Sequence, residues 1–207
     1  MSRPQKLHLT EDNKLISTRE ALVQAVLELV KVKSFDNISL REVTRTAGIS
    51  PAAFYRHFSN MEQLGLTIVH ESFELLRVGF KEARLPRDSR DGLRSLEIIR
   101  DFHTNYPARF RFIIAEVNGV EPIRQAIYAQ WQILEEDLID DLRTFEGLEN
   151  LSRESHRMIA SVVKSIIVNS ASEQFLHASN EEERQAAFNL SVSQLRLVMI
   201  GARLWKD

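Results

Sequence analysis

Apolar residues recur along this chain at spacings of three and four, interrupted by short polar stretches. Such spacing places apolar side chains on one face of a helix. Seven glycines and five prolines in 207 residues are few, which suits long helices with short connections. We therefore predict an all-α protein, with helices over about residues 17–33, 40–47, 51–58, 59–84, 93–106, 107–119, 122–142, 152–177 and 181–205.

Residues 39–58, SLREVTRTAGISPAAFYRHF, predict two short helices joined by a tight turn. Ser39 and Glu42 have the spacing of a capping box at the start of the first helix. Gly48 stands where a left-handed residue ends that helix, and Pro51 occupies the first position of the next. This arrangement is typical of a helix-turn-helix, whose second helix enters a major groove about 12 Å wide.

The second of these helices would turn Phe54 and Phe58 inward and present a small, aromatic and basic outward face. The outward residues with a predicted DNA contact are Ala52, Ala53, Tyr55, Arg56 and His57, with Arg41 from the first helix. The alanines permit close approach to a thymine methyl, and the aromatic and basic side chains can donate to phosphates. The arginine can reach a guanine edge or a phosphate. The alternative is a plain helical hairpin with a solvated basic face.

The predicted helices indicate three segments along the chain. Residues 1–16 are predicted to be a flexible basic arm, which can reach a minor groove or simply be a frayed terminus. Residues 17–64 form a three-helix DNA-binding domain in this interpretation. Ser59 and Glu62 again have capping-box spacing, and the helix they open is about 36 Å long. It would lead from the DNA-binding domain into a helical ligand-binding and dimerisation domain over residues 65–207.

The charge of the chain, −2 overall, is distributed unevenly. Residues 1–64 contain nine Lys and Arg against seven Asp and Glu, a balance of +2, whereas the remainder has a balance of −4. The sign of this asymmetry suits a DNA-facing domain attached to an acidic body.

Patterns that would indicate catalysis, metal binding or membrane insertion are missing from the sequence. There is no cysteine, no metal-binding histidine spacing, no Gly-rich phosphate loop and no G-x-S-x-G. The acidic residues of 135–141 are interpreted as a solvated helix face. No apolar run approaches the roughly 20 residues of a membrane span, and the N-terminus has no secretory core. We expect a cytoplasmic protein that is not an enzyme and uses no cofactor or metal.

The last two predicted helices are apolar on more than one face and contain many small residues. Such helices must be buried on more than one side. They are either central core helices or, as we favour, the interface of a homodimer that reads paired half-sites about 34 Å apart.

The run from Ser39 to Leu64, with AGIS and FYRHF, resembles the TetR family of transcriptional regulators. This resemblance implies a dimer that binds a palindromic operator and holds an inducer in its larger helical domain. Many family members have a lysine where this chain has Asn60 and Met61, which weakens the expected phosphate contact there. The candidate DNA-binding residues are Thr18, Ser39, Arg41, Ser50, Pro51, Ala52, Ala53, Tyr55, Arg56, His57 and Asn60.

A closer resemblance is carried by FYRHFSNMEQLGLTIVHESFELLRVGFKEAR and by YPARFRFIIAEVNG, between about residues 17 and 119. Both are similar to the unsaturated-fatty-acid repressors of the FabR and DesT type within the TetR family. The resemblance implies regulation of fatty-acid desaturation or unsaturated fatty-acid synthesis genes, with a long-chain acyl-CoA or acyl-carrier thioester as the effector. Phe102, Tyr106, Phe110, Phe112, Ile113 and Trp131 could line an apolar cavity between helices, although the same residues could equally be ordinary core. For an acyl-CoA, Arg77, Arg84, Arg109 or Arg111 could bind the phosphates at the mouth of the cavity.

Two other functions stay open on the sequence. One is a TetR-type repressor that responds to an unrelated apolar drug or metabolite. The other is a helical protein-interaction module without DNA binding.

Overall fold

The computed structural model describes residues 7–9, 15–83, 93–115 and 120–207, and this part of the chain is mostly helical. Its α-helices are α1 (Thr18–Leu29), α2 (Leu40–Thr46), α3 (Pro51–Phe54), α4 (Met61–Ala83), α5 (Leu93–Asn105), α6 (Pro107–Ala115), α7 (Glu121–Leu142), α8 (Arg153–Ser172) and α9 (Glu181–Leu204). A 3-10 turn, Phe35–Asn37, precedes α2, and a π-helical turn, Glu173–His177, follows α8.

The chain divides into two compact units, and α4 contributes residues to both. The N-terminal unit comprises the described residues of Met1–Ser72 together with Ala108–Ile127. The C-terminal unit comprises the described residues of Phe73–Pro107 together with Tyr128–Asp207. The predicted domain boundary after residue 64 stays a prediction; the N-terminal compact unit extends to Ser72 and includes most of α6.

Two short strands lie within and next to the segment where a flexible arm was expected. β1 (Leu7–Leu9) pairs antiparallel with β2 (Leu15–Ser17), with Leu7 opposite Ser17. Ser17 then caps α1, because its Oγ accepts a hydrogen bond from the Glu20 backbone N–H at 3.1 Å. The sequence pattern did not predict this strand pair.

The core of the N-terminal unit is apolar and closely packed around α1. Leu22 and Val26 of α1 are fully buried, as is Phe54 of α3. Gly65 of α4 lets the side chains of Ile123 and Phe35 pack closely against the helix, since a Cβ at Gly65 would lie 2.7 Å from Ile123 Cδ1 and 2.8 Å from Phe35 Cζ. A side chain at this position would have to displace both neighbours, so glycine is required by packing.

The C-terminal unit contains the two long helices predicted for dimerisation. α8 and α9 agree with their predicted bounds, although the last five residues of the first helix form the π-helical turn. Residues after α9 are bound to the start of α8: Asp207 accepts hydrogen bonds from the backbone N–H of Ser152 at 2.5 Å and from the Ser155 hydroxyl. These bonds hold the pKa of Asp207 below its ordinary value.

α1 ends at Leu29, about four residues before its predicted end, since the residues after Val30 form turns. Apart from the end of α3, the other helix ends in the described residues agree with the sequence within about two residues. α5 ends at Asn105, just before Pro107 opens α6, as the Tyr-Pro pair predicted. The predicted loop over 84–92 and the predicted end of α6 at 118–119 lie outside the described residues, as does Arg84.

Candidate nucleic-acid interface and ligand site

The turn between α2 and α3 is fixed by local hydrogen bonds. Ser39 Oγ accepts from the Glu42 backbone N–H at 3.3 Å, and Glu42 Oε2 accepts from the Ser39 backbone N–H at 2.9 Å, which confirms the capping box. Gly48 has a φ of +65°, and the Ile49 N–H donates to the Thr44 carbonyl at 2.8 Å. The chain therefore leaves α2 by a left-handed residue, as predicted.

Lys33 ties the segment before α2 to this cap. Its ammonium donates to Glu42 Oε1 at 2.5 Å, and this bond, with that from the Ser39 backbone, lowers the pKa of Glu42 to about 2. Glu42 is therefore an ionised carboxylate at neutral pH whose acceptors are already used. It balances Lys33, whereas the neighbouring Arg41 is exposed on α2 and forms no ion pair with another described residue.

The second helix of the motif is shorter than predicted. α3 begins with Pro51 after the Ser50 cap, whose Oγ accepts from the Ala53 N–H at 3.3 Å. It ends at Phe54 because the next three residues form tighter turns, with the Arg56 N–H bonding to the Ala53 carbonyl at 3.3 Å. The predicted helix over 51–58 is therefore one α-helical turn followed by a turn with i to i−3 bonds.

Most of the predicted DNA-binding residues lie on the exposed side of this motif. Tyr55 is 60% exposed, and its ring packs edge-on against the buried Phe54 at 5.5 Å between centroids. His57 is half-buried. The others that are exposed are Ser39, Arg41, Ser50, Pro51, Ala52, Arg56 and Asn60.

Thr18 and Ala53 depart from the predicted outward placement. Ala53 is 8% exposed because α3 turns it toward the core beside Phe54. Thr18 is 7% exposed at the start of α1. Their side chains are therefore poorly placed for direct contact with DNA, whereas Ala52 remains the small exposed residue of α3.

Asn60, rather than Ser59, caps the helix that follows the motif. Asn60 Oδ1 accepts from the Gln63 backbone N–H at 2.8 Å, and the Gln63 side chain accepts from the Ser59 N–H at 2.5 Å. The predicted Ser59–Glu62 box is thus wrong by one residue, because Asn is as good a cap as Ser and Gln63 supplies the reciprocal acceptor.

Arg45 is a further candidate that the sequence analysis missed. It lies one turn after Arg41 on α2 and is exposed like it, so the two guanidinium groups are neighbours on one helix face. The i, i+4 spacing of the two arginines was the signal.

α6 is bound to α1 by polar contacts that sequence patterns do not predict. Arg111 Nε donates to the Val30 carbonyl at the end of α1 at 3.1 Å. At the start of α1, Arg19 Nη1 pairs with Glu71 Oε1 at 2.6 Å, and Arg109 Nη2 pairs with Glu71 Oε2 at 3.1 Å. The contacts thus hold both ends of α1, within the N-terminal unit.

The predicted ligand-binding residues do not come together in one site. Phe110, Phe112 and Ile113 are core residues of the N-terminal unit, and Phe112 packs edge-on against Phe35 at 5.4 Å. Arg77 is held by Asp137 in a two-bond pair at 2.8 and 3.0 Å, which raises its pKa. Arg109 and Arg111 make the contacts described above and so are engaged within the protein.

Phe102 and Tyr106 instead line an open groove between α4 and α5 in the C-terminal unit. Its volume is about 440 Å³, within the range of small-molecule sites. Its apolar part includes Val78, which is 53% exposed, and Ile98. Its polar part is on one face of α5, at Arg94, Glu97, Asp101 and Asn105.

Trp131 lines a different and smaller cavity among α4, α5, α7 and α8. This cavity has a volume of about 30 Å³. The Trp131 ring packs edge-on against Phe73 with centroids 5.2 Å apart. The other lining residues are Phe80, Ser95, Leu134, Glu135, Leu138, Lys164 and Ile167.

The acidic face of α7 is ion-paired at several positions. Glu135 pairs with Lys164, and Glu136 pairs with Arg153 at 3.0 Å. Within the described part of the chain, no group of three His, Asp or Glu side chains is arranged to hold a metal ion. None of the helices in that part is both long and apolar enough to cross a membrane.

Residues 22–67 match the family model described as bacterial regulatory proteins, tetR family. The whole fold is similar to that of a putative TetR-family transcriptional regulator from Syntrophomonas wolfei, with a TM-score of 0.73 and 15% identity over 89% of this chain and 95% of that one. It is also similar to GusR of Salmonella enterica, with a TM-score of 0.71 and 16% identity over 91% and 96% of the two chains. A third similar structure is PfmR, a TetR-family transcriptional regulator from Thermus thermophilus, with a TM-score of 0.65 and 18% identity over 84% and 97%.

The prediction of a helical, TetR-like fold with an N-terminal helix-turn-helix is confirmed. The matched residues run from α1 to the first turns of α4, so they include the capped turn and its exposed face. The family model matches the helix-turn-helix part of the chain, and the similar structures show the fold. The closer resemblance to fatty-acid repressors stays a prediction.

Proposed function

We propose that this protein is a dimeric, ligand-responsive transcriptional repressor that binds a palindromic operator in the cytoplasm. The observation that carries the proposal is the exposed face of the motif: a small residue, Ala52, followed by Tyr55 and Arg56, on a turn fixed by two caps. Small residues allow the backbone to approach a groove, and aromatic hydroxyl and guanidinium groups donate to phosphates. In this proposal Arg41 reads a base edge and Arg45 adds a phosphate contact.

The apolar surface of α9 supports a dimer. Leu190, Leu197 and Leu204 lie seven residues apart on one stripe and are 59%, 72% and 75% exposed. Met158 and Val162 add 44% and 42% exposed apolar side chains on α8. A stripe of exposed leucines at heptad spacing is unusual on a soluble monomer, and a second copy of the same two helices would bury it.

The proposed effector is a long-chain acyl-CoA or acyl-carrier thioester, and the proposed targets are genes of fatty-acid desaturation or unsaturated fatty-acid synthesis. The sequence resemblance supports this choice. The α4–α5 groove supports a ligand in the C-terminal unit, since it has an apolar part and a cation, Arg94, at its polar side. A phosphate-bearing thioester needs both features.

The proposed mechanism is a shift between two spacings of the DNA-binding units in the dimer. A ligand changes DNA affinity only by its differential affinity for the two states. α4 contributes residues to both compact units and is therefore the proposed carrier of the shift.

The test is fluorescence anisotropy of the purified full chain on DNA from its own upstream region. A scrambled duplex is the control, and saturated and unsaturated long-chain acyl-CoAs are added in turn. We expect specific binding, with acyl-CoAs of the two kinds changing the affinity to different extents. If the protein binds its DNA specifically but responds to neither acyl-CoA, the repressor function stands and the acyl-CoA assignment is contradicted. Equal binding to both duplexes would contradict the repressor itself.

A further inference from the structure

The residues that follow α9 fold back onto the start of α8. α9 ends at Leu204, and Trp205 leaves it in an extended conformation, with φ of −66° and ψ of 143°. The Asp207 carboxylate accepts hydrogen bonds from the Ser152 backbone N–H at 2.5 Å, from the Ser152 hydroxyl at 3.2 Å and from the Ser155 hydroxyl. Hydrogen bonds to a charged acceptor are stronger than neutral ones, and a carboxylate is favoured at the N-terminus of a helix.

The Ser155 hydroxyl connects the two ends of this segment through a chain of hydrogen bonds. Its oxygen accepts from the Trp205 indole N–H at 3.1 Å, while its own hydrogen is donated to Asp207. Ser155 is 6% exposed, so the loss of Asp207 would remove the acceptor of a buried hydroxyl. Such a loss is costly, and bonds that share one hydroxyl strengthen each other. We call Ser152, Ser155, Trp205 and Asp207 the α8–α9 clasp.

The start of α8 is anchored independently of the clasp. His156 is 1% exposed, and its Nε2 donates to the carbonyl of the buried Leu148 at 2.8 Å, since a carbonyl oxygen can only accept. Ser152 Oγ also caps α8 by accepting from the Ser155 backbone N–H at 3.2 Å. The last turn of a helix, by contrast, has carbonyls without intrahelical partners and frays readily. The clasp therefore fixes the end of α9 to an anchored point.

The fixed end of α9 belongs to the apolar surface of the proposed dimer. Leu204, directly before the clasp, is 75% exposed, and Ile200 one turn earlier is 56% exposed. Met158, about one turn after Ser155 on α8, is 44% exposed. If the last turn of α9 were free to fray, its side chains would have to become ordered on association, which lowers affinity. A turn that is already fixed avoids this loss.

We propose that the α8–α9 clasp positions the last turn of α9 for dimerisation, with Asp207 and Ser155 as positioning residues. The inference rests on the proposed dimer and adds to it a polar determinant of affinity outside the leucine stripe. All the bonds of the clasp lie within one chain, so it should be closed before two copies meet. Opening it should weaken association without unfolding the chain.

The first test is the dimer Kd of the full chain, measured by sedimentation velocity over a dilution series. Asp207→Ala and Asp207→Asn should each raise the Kd about 10-fold, because both remove the charged acceptor. Asp207→Glu keeps the carboxylate and should stay within about threefold of the unchanged chain. Lys206→Ala, exposed directly before Asp207, is the matched control and should leave the Kd unchanged.

The second test asks whether the clasp acts as a unit. Ser155→Ala should also raise the Kd, and the double variant with Asp207→Ala should raise it about 10-fold rather than about 100-fold, since the two residues share one set of bonds. A general loss of stability caused by each change separately would instead multiply the two effects.

The third test asks whether the clasp is closed in the single chain, by NMR in the Leu197→Glu background, which is expected to be monomeric. The chain has two tryptophans, and Trp205→Phe assigns their indole N–H signals. Adding Asp207→Ala should shift the Trp205 signal, because its acceptor Ser155 loses its own partner. The Trp131 signal should stay unchanged and reports that the core remains folded.

The proposal is overturned by an unchanged Kd for Asp207→Ala, by an equal loss for Lys206→Ala, by effects that multiply in the double variant, or by a Trp205 signal that does not respond. A monomeric unchanged chain would contradict the proposed dimer and this inference together. DNA affinity is measured separately on the same preparations. A dimer that depends on the clasp but lacks specific DNA binding would support the clasp and contradict the repressor. Specific DNA binding by a dimer that ignores Asp207→Ala would contradict only the clasp.

Discussion

Two exposed surfaces of this protein differ in chemistry although both are built from helices. The surface of α2 and α3 presents Arg41, Arg45, Tyr55 and Arg56 around a small residue. The surface of α8 and α9 presents leucines, methionine and valine. The first surface exposes positive charges and hydrogen-bond donors, which suit a polyanion such as DNA. The second exposes apolar side chains, which suit another apolar helix face.

The two surfaces also differ in how they are held. The short helices of the motif are fixed by caps, a positive-φ glycine and the Lys33–Glu42 pair. The long helices α8 and α9 are also capped, by Ser152 and Asn180, but their length and apolar packing contribute most of their stability. A DNA-reading surface therefore depends on local geometry, whereas a dimer surface depends on area and pattern.

The largest effect should come from a charge on the apolar stripe. Leu197→Glu places a carboxylate at the centre of the proposed dimer face, where burial would be costly. Leu197 is 72% exposed in the single chain, so the variant should stay folded. We expect a monomer by analytical ultracentrifugation and a loss of operator affinity of at least about 100-fold, since paired binding is lost.

The matched control is Gln185→Glu, which is exposed on the same helix but rotated by about 120° from the leucine stripe. It should remain dimeric. A dimeric Leu197→Glu would show that the apolar surface serves another partner.

The next effect concerns the polar contacts that hold α1. Glu71→Gln leaves Arg109, which is 9% exposed, and Arg19 without their carboxylate. The Glu71 side chain is 28% exposed, but its removal leaves the nearly buried Arg109 guanidinium without a carboxylate. We expect a loss of about 1–2 kcal/mol in the free energy of unfolding, measured in urea. Glu74→Gln, exposed on the same helix, should change it by less than about 0.5 kcal/mol. Equal losses for the two variants would show that the ion pairs of Glu71 do not contribute to the free energy of unfolding.

A smaller effect separates base reading from phosphate contact within the proposed DNA-binding surface. Arg41→Ala should weaken operator binding by about 2 kcal/mol and relax preference at particular base pairs. Tyr55→Phe should weaken operator and scrambled DNA alike, by about 1 kcal/mol, because it removes a hydrogen bond without sequence information. Anisotropy on both duplexes measures this. Equal losses on the two duplexes for Arg41→Ala would remove its base-reading role.

The smallest effect is a pH dependence of the cap. The pKa of Glu42 is lowered from 4.5 to about 2, so its contribution to stability is present above pH 4.5 and is lost as the pH falls toward 2. Glu42→Gln should therefore be less stable than the unchanged chain at pH 7, and this difference should shrink as the pH falls below 4.5. Thermal unfolding at several pH values measures it. A constant difference would show that the charge of Glu42 is not involved.

Much of the architecture could be predicted because its signals are local. Ser39, Glu42, Gly48 and Pro51 specify their turn through bonds that span only a few residues. The apolar spacing likewise predicts the long helices, whose ends at Asn105 and Leu204 agree with it within a residue or two. The cap at Asn60 was misplaced because two adjacent residues could both serve.

The candidate sites were predicted less completely, for a physical reason. The apolar periodicity indicates that Phe112 and Trp131 face inward, but it does not indicate which residues they contact. In the structure the two lie in different compact units. Arg77 and Arg109 were expected to be free cations for a ligand, yet carboxylates distant in sequence engage them. Pairing across long sequence separations leaves no local pattern.

The sequence by itself determined the helices, the capped turn and the chemistry of the two exposed surfaces, because these depend on neighbours three to four residues apart. Only the tertiary structure decided that Ala53 is buried, that α6 holds α1 through Arg111 and through the Arg109–Glu71–Arg19 pairs, and that no described residue accepts a hydrogen bond from the Trp131 indole. Each of these depends on which helices meet, and packing between distant segments is what tertiary structure adds.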